Sequence, residues 1–238
     1  MLKDGERLDD LQYKGLMLIQ QADAYCFTSD AVLLANTARV GAKDKVADLG
    51  AGSGIISVLI AAKRGASVTA VEFQDWAAEL IRRNAELNKL SDKITVYEGD
   101  IKGCREELPV FDVVVTNPPY FKAGSGEMRG DRRSALSRHE SSCTLEDIAK
   151  EASCLLREGG KLYMVHKTER MAEVIFRLAQ NRLETKEITL IYPKADKEAD
   201  TFIVCAVKGG RAGMKLHKLI VYDEKGNMTE EAARLYGK

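Results

Sequence analysis

Four consecutive residues, Asn117 to Tyr120, combine groups that suit chemistry on a planar amine. They read Asn-Pro-Pro-Tyr and come directly after FDVVVT, an apolar run that predicts a buried strand. The Asn117 side-chain oxygen and the Pro118 carbonyl can each accept one N–H of an amide-like nitrogen, which stabilises positive charge developing there. Pro118 and Pro119 stop strand pairing and stiffen the backbone, and the Tyr120 ring offers a face on which a base can stack. These four residues are the catalytic candidates, and they specify the kind of nitrogen better than the molecule that carries it.

A second group of candidates begins at Asp48 and forms a glycine-rich turn. The turn, DLGAGSG, contains Gly50, Gly52 and Gly54. Glycines at such a point allow a tight turn and a close approach of the backbone to a ligand. The spacing departs from the dinucleotide fingerprint, because the position of its last glycine holds Ile55. Two acids follow at later strand ends: Glu72 can accept from ribose hydroxyls, and Asp100 from an adenine amino group.

An acid that opens a glycine loop, followed by an acid at the next strand end, resembles the pattern of class I methyltransferases over residues 45–207. The resemblance implies S-adenosylmethionine as the cofactor. That molecule carries a sulfonium, a ribose and an adenine and no phosphate, so an acidic lining suits it. The cofactor-binding candidates in this part of the chain are Asp48, Gly50, Gly52, Gly54, Glu72, Asp100 and Asn117.

The elements that position these residues alternate along the chain. Strands are predicted at 45–49, 66–72, 93–99, 111–117, 160–166, 188–192 and 201–207. The first five carry little alternation, which is typical of strands buried on both faces. Helices are predicted at 54–65, 75–90 and 144–160, the last with a Thr-x-x-Asp cap at its start and a glycine pair at its end.

Strand–helix–strand units of this kind predict an α/β fold, a Rossmann-like, doubly wound and mostly parallel sheet of seven strands. The last two strands are joined by a loop too short for a crossover helix, so they are expected to pair antiparallel. We expect an N-terminal extension over 1–40, with a hairpin at 11–20 and a helix at 29–39, packed on a methyltransferase domain over 41–238. A strand and turn at 215–227 and a short helix at 229–237 follow the sheet.

Composition narrows the class of protein. The 238 residues hold 36 Lys and Arg against 36 Asp and Glu, so any nucleic-acid surface must be local. The five cysteines form no C-x-x-C pair and predict free thiols in a cytoplasmic protein, with no metal site. The N-terminus has no signal peptide and no run is long enough to span a membrane, so no membrane association is expected.

Local basic segments exist. The stretch 121–140, directly after Tyr120, has no strong periodicity and reads as a loop beside the site that could grip phosphates. Its substrate-binding candidates are Lys122, Arg129, Arg132, Arg133 and Arg138. A second basic stretch, KGGRAGMKLHK, covers 208–218.

Further segments carry a narrower resemblance. The segments FTSDAVLLA at 27–35, NPPYF, SRHE and ADTFIVCAVKGGR resemble the bacterial tRNA(Val) adenine-N6 methyltransferase family, over nearly the whole chain. The resemblance implies methylation of the 6-amino group of the adenine next to the anticodon, with tRNA as the partner and no obligate protein partner. It also implies that Phe27, Thr28 and Asp30 cover the cofactor, although Asp30 could equally be a helix cap.

Other readings stay open. The same chemistry could act on an rRNA or DNA base or on a protein glutamine amide. The release-factor glutamine methyltransferases, however, have a sizeable helical domain ahead of the glycine loop, and DNA adenine methyltransferases usually carry a target-recognition domain. Neither is visible here. A non-catalytic RNA-binding module is a third reading, disfavoured because both the glycine loop and the Asn-Pro-Pro-Tyr motif are intact.

Overall fold

The structure, a computed structural model, describes residues 2–21, 29–118 and 143–236. In chain order its strands are β1 (Glu6–Asp10), β2 (Met17–Gln21), β3 (Lys45–Leu49), β4 (Ser67–Glu72), β5 (Ile94–Glu98), β6 (Phe111–Thr116), β7 (Leu156–Lys167), β8 (Leu183–Lys194), β9 (Thr201–Lys208) and β10 (Lys215–Tyr222). Its helices are α1 (Ser29–Thr37), α2 (Ile55–Arg64), α3 (Asp75–Leu87), α4 (Leu145–Leu155), α5 (Met171–Gln180) and α6 (Glu230–Tyr236).

One large sheet has the strand order β10-β8-β9-β7-β6-β3-β4-β5. Strand β9 runs antiparallel to both of its neighbours, and the other pairs of this sheet are parallel. The predicted α/β class, the mostly parallel sheet and the antiparallel pairing of β8 with β9 are confirmed. The predicted count of seven strands is wrong, because the sheet has eight: β10, expected as a strand beyond the sheet, pairs parallel with β8.

Helices cover both faces of the sheet. One apolar cluster lies between the sheet and α1, α2, α3 and α6, and the other between the sheet and α4 and α5. Along β3, Val46 points into the first cluster and Ala47 into the second, so the strand is buried on both sides as its uninterrupted apolar run predicts. Helix α5 was not predicted, although Met171, Val174 and Leu178 recur at helical spacing and pack into the second cluster.

The ends of helices α2 and α4 can be compared with the capping residues expected from the sequence. Gly54 and Gly65 flank α2 in left-handed conformation, as expected. The cap of α4 is confirmed as well, since Thr144 and Asp147 form a reciprocal capping box. The predicted end of α4 is wrong, because the helix stops at Leu155 and Leu156 already belongs to β7.

The glycine pair at 159–160 therefore lies inside a strand. Gly159 has φ +75°, and a Cβ on Gly160 would lie 2.9 Å from the Arg157 carbonyl oxygen and 3.1 Å from that of Asp112. The register between β6 and β7 shifts at this point. The glycines thus allow an irregularity in the strand pair where two backbones approach closely.

The N-terminal hairpin is present, but its position differs from the prediction. Its strands β1 and β2 pair antiparallel, with Asp10 opposite Met17. The predicted segment 11–20 supplies only the turn and most of the second strand. Left-handed backbone at Gln12, Lys14 and Gly15 makes that turn. The domain boundary at residue 40 stays a prediction.

No helix within the described ranges is long and apolar enough to cross a membrane. Those residues also contain no group of three or more His, Cys, Asp or Glu side chains that could hold a metal ion.

Candidate active site

The candidate site lies where the order of the parallel strands reverses. Strand β3 pairs with β4 on one side and with β6 on the other, so the chain crosses in opposite directions from this strand. In open parallel sheets, the crevice for a ligand forms at the carboxyl ends of strands beside such a reversal. The structure therefore brings three predicted segments to one edge: the glycine loop after β3, Glu72 at the end of β4, and Asn117 after β6.

The glycine loop is bonded to the neighbouring strand. The amides of Gly50 and Ala51 both donate to the Val71 carbonyl, at 3.0 and 3.1 Å. Gly50, Gly52 and Gly54 all have positive φ, between 57° and 82°, a region that favours glycine. A Cβ on Gly54 would lie 3.1 Å from Ile81, whereas a Cβ on Gly52 would meet nothing within 4 Å. The backbone at Gly52 is thus open to a ligand.

Glu72 is buried and binds the loop directly. Its Oε2 accepts from the Gly52 amide at 2.8 Å, and its Oε1 accepts from the Gln74 amide at 3.0 Å. Burial raises the pKa of this carboxyl, and the N–H donors of Gln74 and Gly52 partly oppose that rise. Each carboxylate oxygen can accept a further hydrogen bond, so Glu72 can bind a hydroxyl group while holding the loop.

Asp48 lies beneath the loop with no surface exposed to solvent. Its Oδ2 accepts from the Ser57 hydroxyl at 2.7 Å, which joins the end of β3 to α2. Its Oδ1 has no hydrogen-bond partner among the residues that the structure describes. Burial raises the pKa of Asp48 to about 7, against the lowering effect of Ser57. This geometry supports the loop from below, and a contact of Asp48 with the cofactor stays a prediction.

Asp100 stands just beyond β5, beside the same edge. The Gly99 amide donates to the Glu72 carbonyl at 2.9 Å, which joins the ends of β4 and β5. Asp100 Oδ1 accepts from the Lys102 amide at 2.9 Å. The next side chain, Ile101, approaches to 3.8 Å of a Cβ built on Gly50. The segment after β5 therefore borders the glycine loop, as its assignment to the cofactor requires.

On the other side of β3, a buried threonine aligns the motif after β6. Thr116 Oγ1 donates to the Leu49 carbonyl at 2.9 Å, so the strand that leads to Asn117 is bonded to the strand that leads to the glycine loop. Asn117 is half-buried and Pro118 is buried. The sequence analysis did not single out Thr116, and nothing in its local pattern distinguishes it from a strand residue.

Phe73, directly after Glu72, was not singled out in the sequence analysis. It keeps 45% of its surface exposed at the same edge of the sheet. Asp30 lies in the first turn of α1, which packs against α2. Its contact with the cofactor and its role as a cap both stay predictions.

The remaining candidates lie outside the described residues. They are Phe27, Thr28, Pro119, Tyr120, Lys122, Arg129, Arg132, Arg133 and Arg138.

The second basic stretch lies on the far side of the sheet from the glycine loop. Strand β9 runs antiparallel and ends at Lys208, so Lys208 lies at the amino end of the sheet. Strand β10, which begins at Lys215, is the outermost strand of the sheet. Lys208 donates there to the Leu156 carbonyl at 2.7 Å. Four strands, β8, β9, β7 and β6, separate β10 from β3 and the glycine loop.

Comparisons with known proteins show which family the chain resembles. A model of the methyltransferase small domain family matches residues 27–189. The tRNA1(Val) (adenine(37)-N6)-methyltransferase of Porphyromonas gingivalis is 31% identical over 199 residues, which cover 80% of this chain and 77% of that protein. The protein of the same name from Aeromonas hydrophila is 28% identical, over 87% of this chain and 86% of its own length.

Solved structures show the same architecture. A protein from Agrobacterium tumefaciens described as a predicted O-methyltransferase is 32% identical, with a TM-score of 0.71 over 87% of this chain and 95% of that chain. A geranyl diphosphate methyltransferase solved with SAM has a TM-score of 0.54 at 16% identity, over 75% of this chain and 84% of its own. The second likeness is one of fold.

Proposed function

The chain belongs to the methyltransferase small domain family, and we propose that it transfers the methyl group of S-adenosylmethionine to the 6-amino group of an adenine in tRNA. One observation carries the proposal. The Thr116–Leu49 hydrogen bond joins the strand that leads to Asn117 to the strand that leads to the glycine loop, at the reversal of strand order, and this supports the proposal. A group that accepts N–H bonds thus adjoins a loop suited to the cofactor.

The residues of the loop fit this cofactor. Gly52 has no side chain, and nothing lies within 4 Å of the position that a Cβ would take there. Its backbone is therefore accessible to a ligand. Glu72 has acceptor capacity left for ribose hydroxyls, and Asp100 and Ile101 border the loop where an adenine would lie. When bound, the cofactor supplies an electrophilic methyl group on a positively charged sulfur. Acidic side chains around it favour that charge.

The acceptor side needs little acid–base chemistry. An exocyclic amine on an aromatic ring shares its lone pair with the ring and is a poor nucleophile. Asn117 Oδ1 and the Pro118 carbonyl would accept its two N–H groups, which directs the lone pair away from the ring and stabilises the charge that develops on nitrogen. Tyr120 would stack on the base. The remaining acceleration comes from alignment of the reacting atoms.

The relatives support tRNA as the substrate. Two proteins that match most of this chain are named for methylation of adenine 37 in tRNA1(Val), and we propose the same nucleotide here. The enzyme would then act in the cytoplasm, where the four cysteines that the structure describes, all free thiols, stay reduced. An oxygen acceptor is the second candidate, because one similar structure is described as a predicted O-methyltransferase. The paired N–H acceptors at Asn117 and Pro118 favour nitrogen.

The decisive experiment uses purified protein, methyl-labelled S-adenosylmethionine and total RNA. The labelled nucleoside should be N6-methyladenosine, and it should map to tRNA. A tRNA(Val) transcript with adenine at position 37 should accept methyl, and the matched transcript with guanine there should not. Labelled methyl groups on a ribose hydroxyl, in rRNA or in protein would contradict the proposed substrate. Absence of transfer to any of them would overturn the activity.

A further inference from the structure

The N-terminal hairpin lies outside the large sheet and ahead of the segment that matches the family model, yet hydrogen bonds join it to the glycine loop. The hairpin formed by β1 and β2 ends at Gln21, and the match to the family model begins at residue 27. The connection passes through α3, which packs against β2.

Two asparagines one turn apart, Asn84 within α3 and Asn88 at its C-cap, bind the hairpin. Asn84 Oδ1 accepts from the Ile19 amide at 2.7 Å, and its Nδ2 donates to the Ile19 carbonyl at 3.0 Å. Likewise, Asn88 Oδ1 accepts from the Met17 amide at 3.0 Å, and Asn88 Nδ2 donates to the Met17 carbonyl at 2.7 Å. Each side-chain amide thus pairs with one residue of β2 as a neighbouring strand would. Met17 and Ile19 are two residues apart and present the same edge of the strand.

Only one of these asparagines also reaches the glycine loop. Asn84 Nδ2 donates a second bond, at 2.9 Å, to the carbonyl of Ser53, which lies between Gly52 and Gly54. The second bond of Asn88 Nδ2 goes to the Asn84 carbonyl at 2.8 Å, within its own helix. Asn84 has no surface exposed. Its removal would leave buried groups in the hairpin and in the loop without their partner.

A hydrogen bond of this kind restricts the conformations of the glycine loop. Gly52 and Gly54 have positive φ and no side chains to restrain them, and α2 has no side-chain cap at its start. A loop with several accessible conformations binds its ligand more weakly, in proportion to the fraction of molecules in the competent one. The Asn84–Ser53 bond limits the loop from one side while the Glu72–Gly52 bond limits it from the other.

We infer that Asn84 is a positioning residue for the cofactor loop, and that the hairpin acts on cofactor binding through it. The inference depends on the proposed function, because it takes S-adenosylmethionine as the ligand. It predicts an effect on cofactor affinity that Asn88 does not share, although both asparagines hold β2 in the same way.

The test measures S-adenosylmethionine binding by calorimetry for the wild type, Asn84→Ala and Asn88→Ala. We expect Asn84→Ala to weaken binding about tenfold through the loss of competent loop, and Asn88→Ala to change it less than twofold. With tRNA as substrate, Asn84→Ala should raise the KM for the cofactor and leave kcat at saturation within a few-fold. Equal weakening by both variants, or none by Asn84→Ala, overturns the inference. Failure of the wild type to bind overturns the proposed function instead.

Asn84 is buried, so a measurement on the wild type guards against a variant that does not fold. Hydrogen exchange of individual amides is followed by NMR with and without S-adenosylmethionine. The Ile19 amide bonds to Asn84 and the Met17 amide to Asn88. The cofactor should slow exchange at Ile19 more than at Met17. Equal slowing at the two amides, or no slowing, overturns the inference.

Discussion

The carboxyl edge at the glycine loop and the outermost strand β10 differ in how far their charged side chains are buried. At the carboxyl edge the acids are buried, as with Asp48 and Glu72. On β10, Lys215 and Lys218 are exposed, and Glu187 of the neighbouring β8 pairs with Arg39 at 2.8 Å. Burial strengthens each electrostatic interaction, whereas exposed pairs contribute little. Charged side chains thus form a candidate site at the carboxyl edge and a solvated surface on β10.

Hydrogen bonds between strand ends add to the difference. At the carboxyl edge, Thr116 bonds to Leu49 and Gly99 bonds to Glu72, so the ends of four adjacent strands keep a fixed relation. Chemistry that depends on alignment requires this rigidity. Substitutions at the carboxyl edge should therefore affect binding or turnover, and those on β10 should not.

The largest effect is expected at Asn117. Replacement by Ala should lower the single-turnover methylation rate about 10²–10³-fold, or ~2.7–4 kcal/mol, as for loss of one preorganised polar contact. The Pro118 carbonyl remains, so activity should not vanish. Cofactor affinity and the melting temperature should change little. Tyr120→Phe is the control within the motif and should stay active, because its ring still stacks. An Asn117→Ala protein that turns over within a few-fold of the wild type would remove the proposed role.

Glu72 comes next. Glu72→Gln removes a charged acceptor from the cofactor site, and hydrogen bonds to charged groups contribute roughly 1.5–3 kcal/mol. We expect S-adenosylmethionine to bind about 10–100-fold more weakly by calorimetry. The matched control is Glu98→Gln, because Glu98 lies beside Glu72 in register but is exposed and paired with Arg82. If the two variants bind the cofactor alike, Glu72 does not contact it.

Asp48 should make stability depend on pH. Folding raises the pKa of Asp48 from 3.8 to about 7. Between these two pH values the folded state therefore holds a proton that the unfolded state has released. Stability contributed by this group is therefore greatest below pH 4 and falls as pH rises toward 7, by at most about 1.4 kcal/mol per pH unit. Urea unfolding of wild type and Asp48→Asn, without cofactor, checks this. The difference between their free energies of unfolding should change over that window and level off above it. Parallel curves would contradict the prediction.

The smallest effects separate the two basic stretches. Charge reversal at Arg132 and Arg133 should weaken tRNA binding about tenfold and flatten its salt dependence, since each lost phosphate contact reduces the slope. Cofactor affinity should stay the same. The same reversal at Lys215 and Lys218, on the outermost strand β10, should change tRNA affinity less than twofold. A flatter salt dependence in the second variant would place RNA on β10 and contradict the comparison.

The sequence by itself determined the alternation of elements and both motifs of the site. Helix α2, with glycines at both ends, and the capped start of α4 follow from interactions within a few residues. The Asn-Pro-Pro-Tyr segment and the glycine turn carry their chemistry in adjacent residues, and parallel strand order predicts the edge at which they meet.

Tertiary structure decided what depends on partners distant in the chain. The pairing of β10 with β8, the irregularity at Gly159 and the bond from Asn84 to Ser53 each join segments whose local patterns do not specify one another. In the sequence, an asparagine on a helix is indistinguishable from any other polar residue, because the residue type does not show whether its side chain faces water or a strand. Only the packing of β2 against α3 makes Asn84 a buried junction, since a buried amide must find its hydrogen-bond partners within the protein.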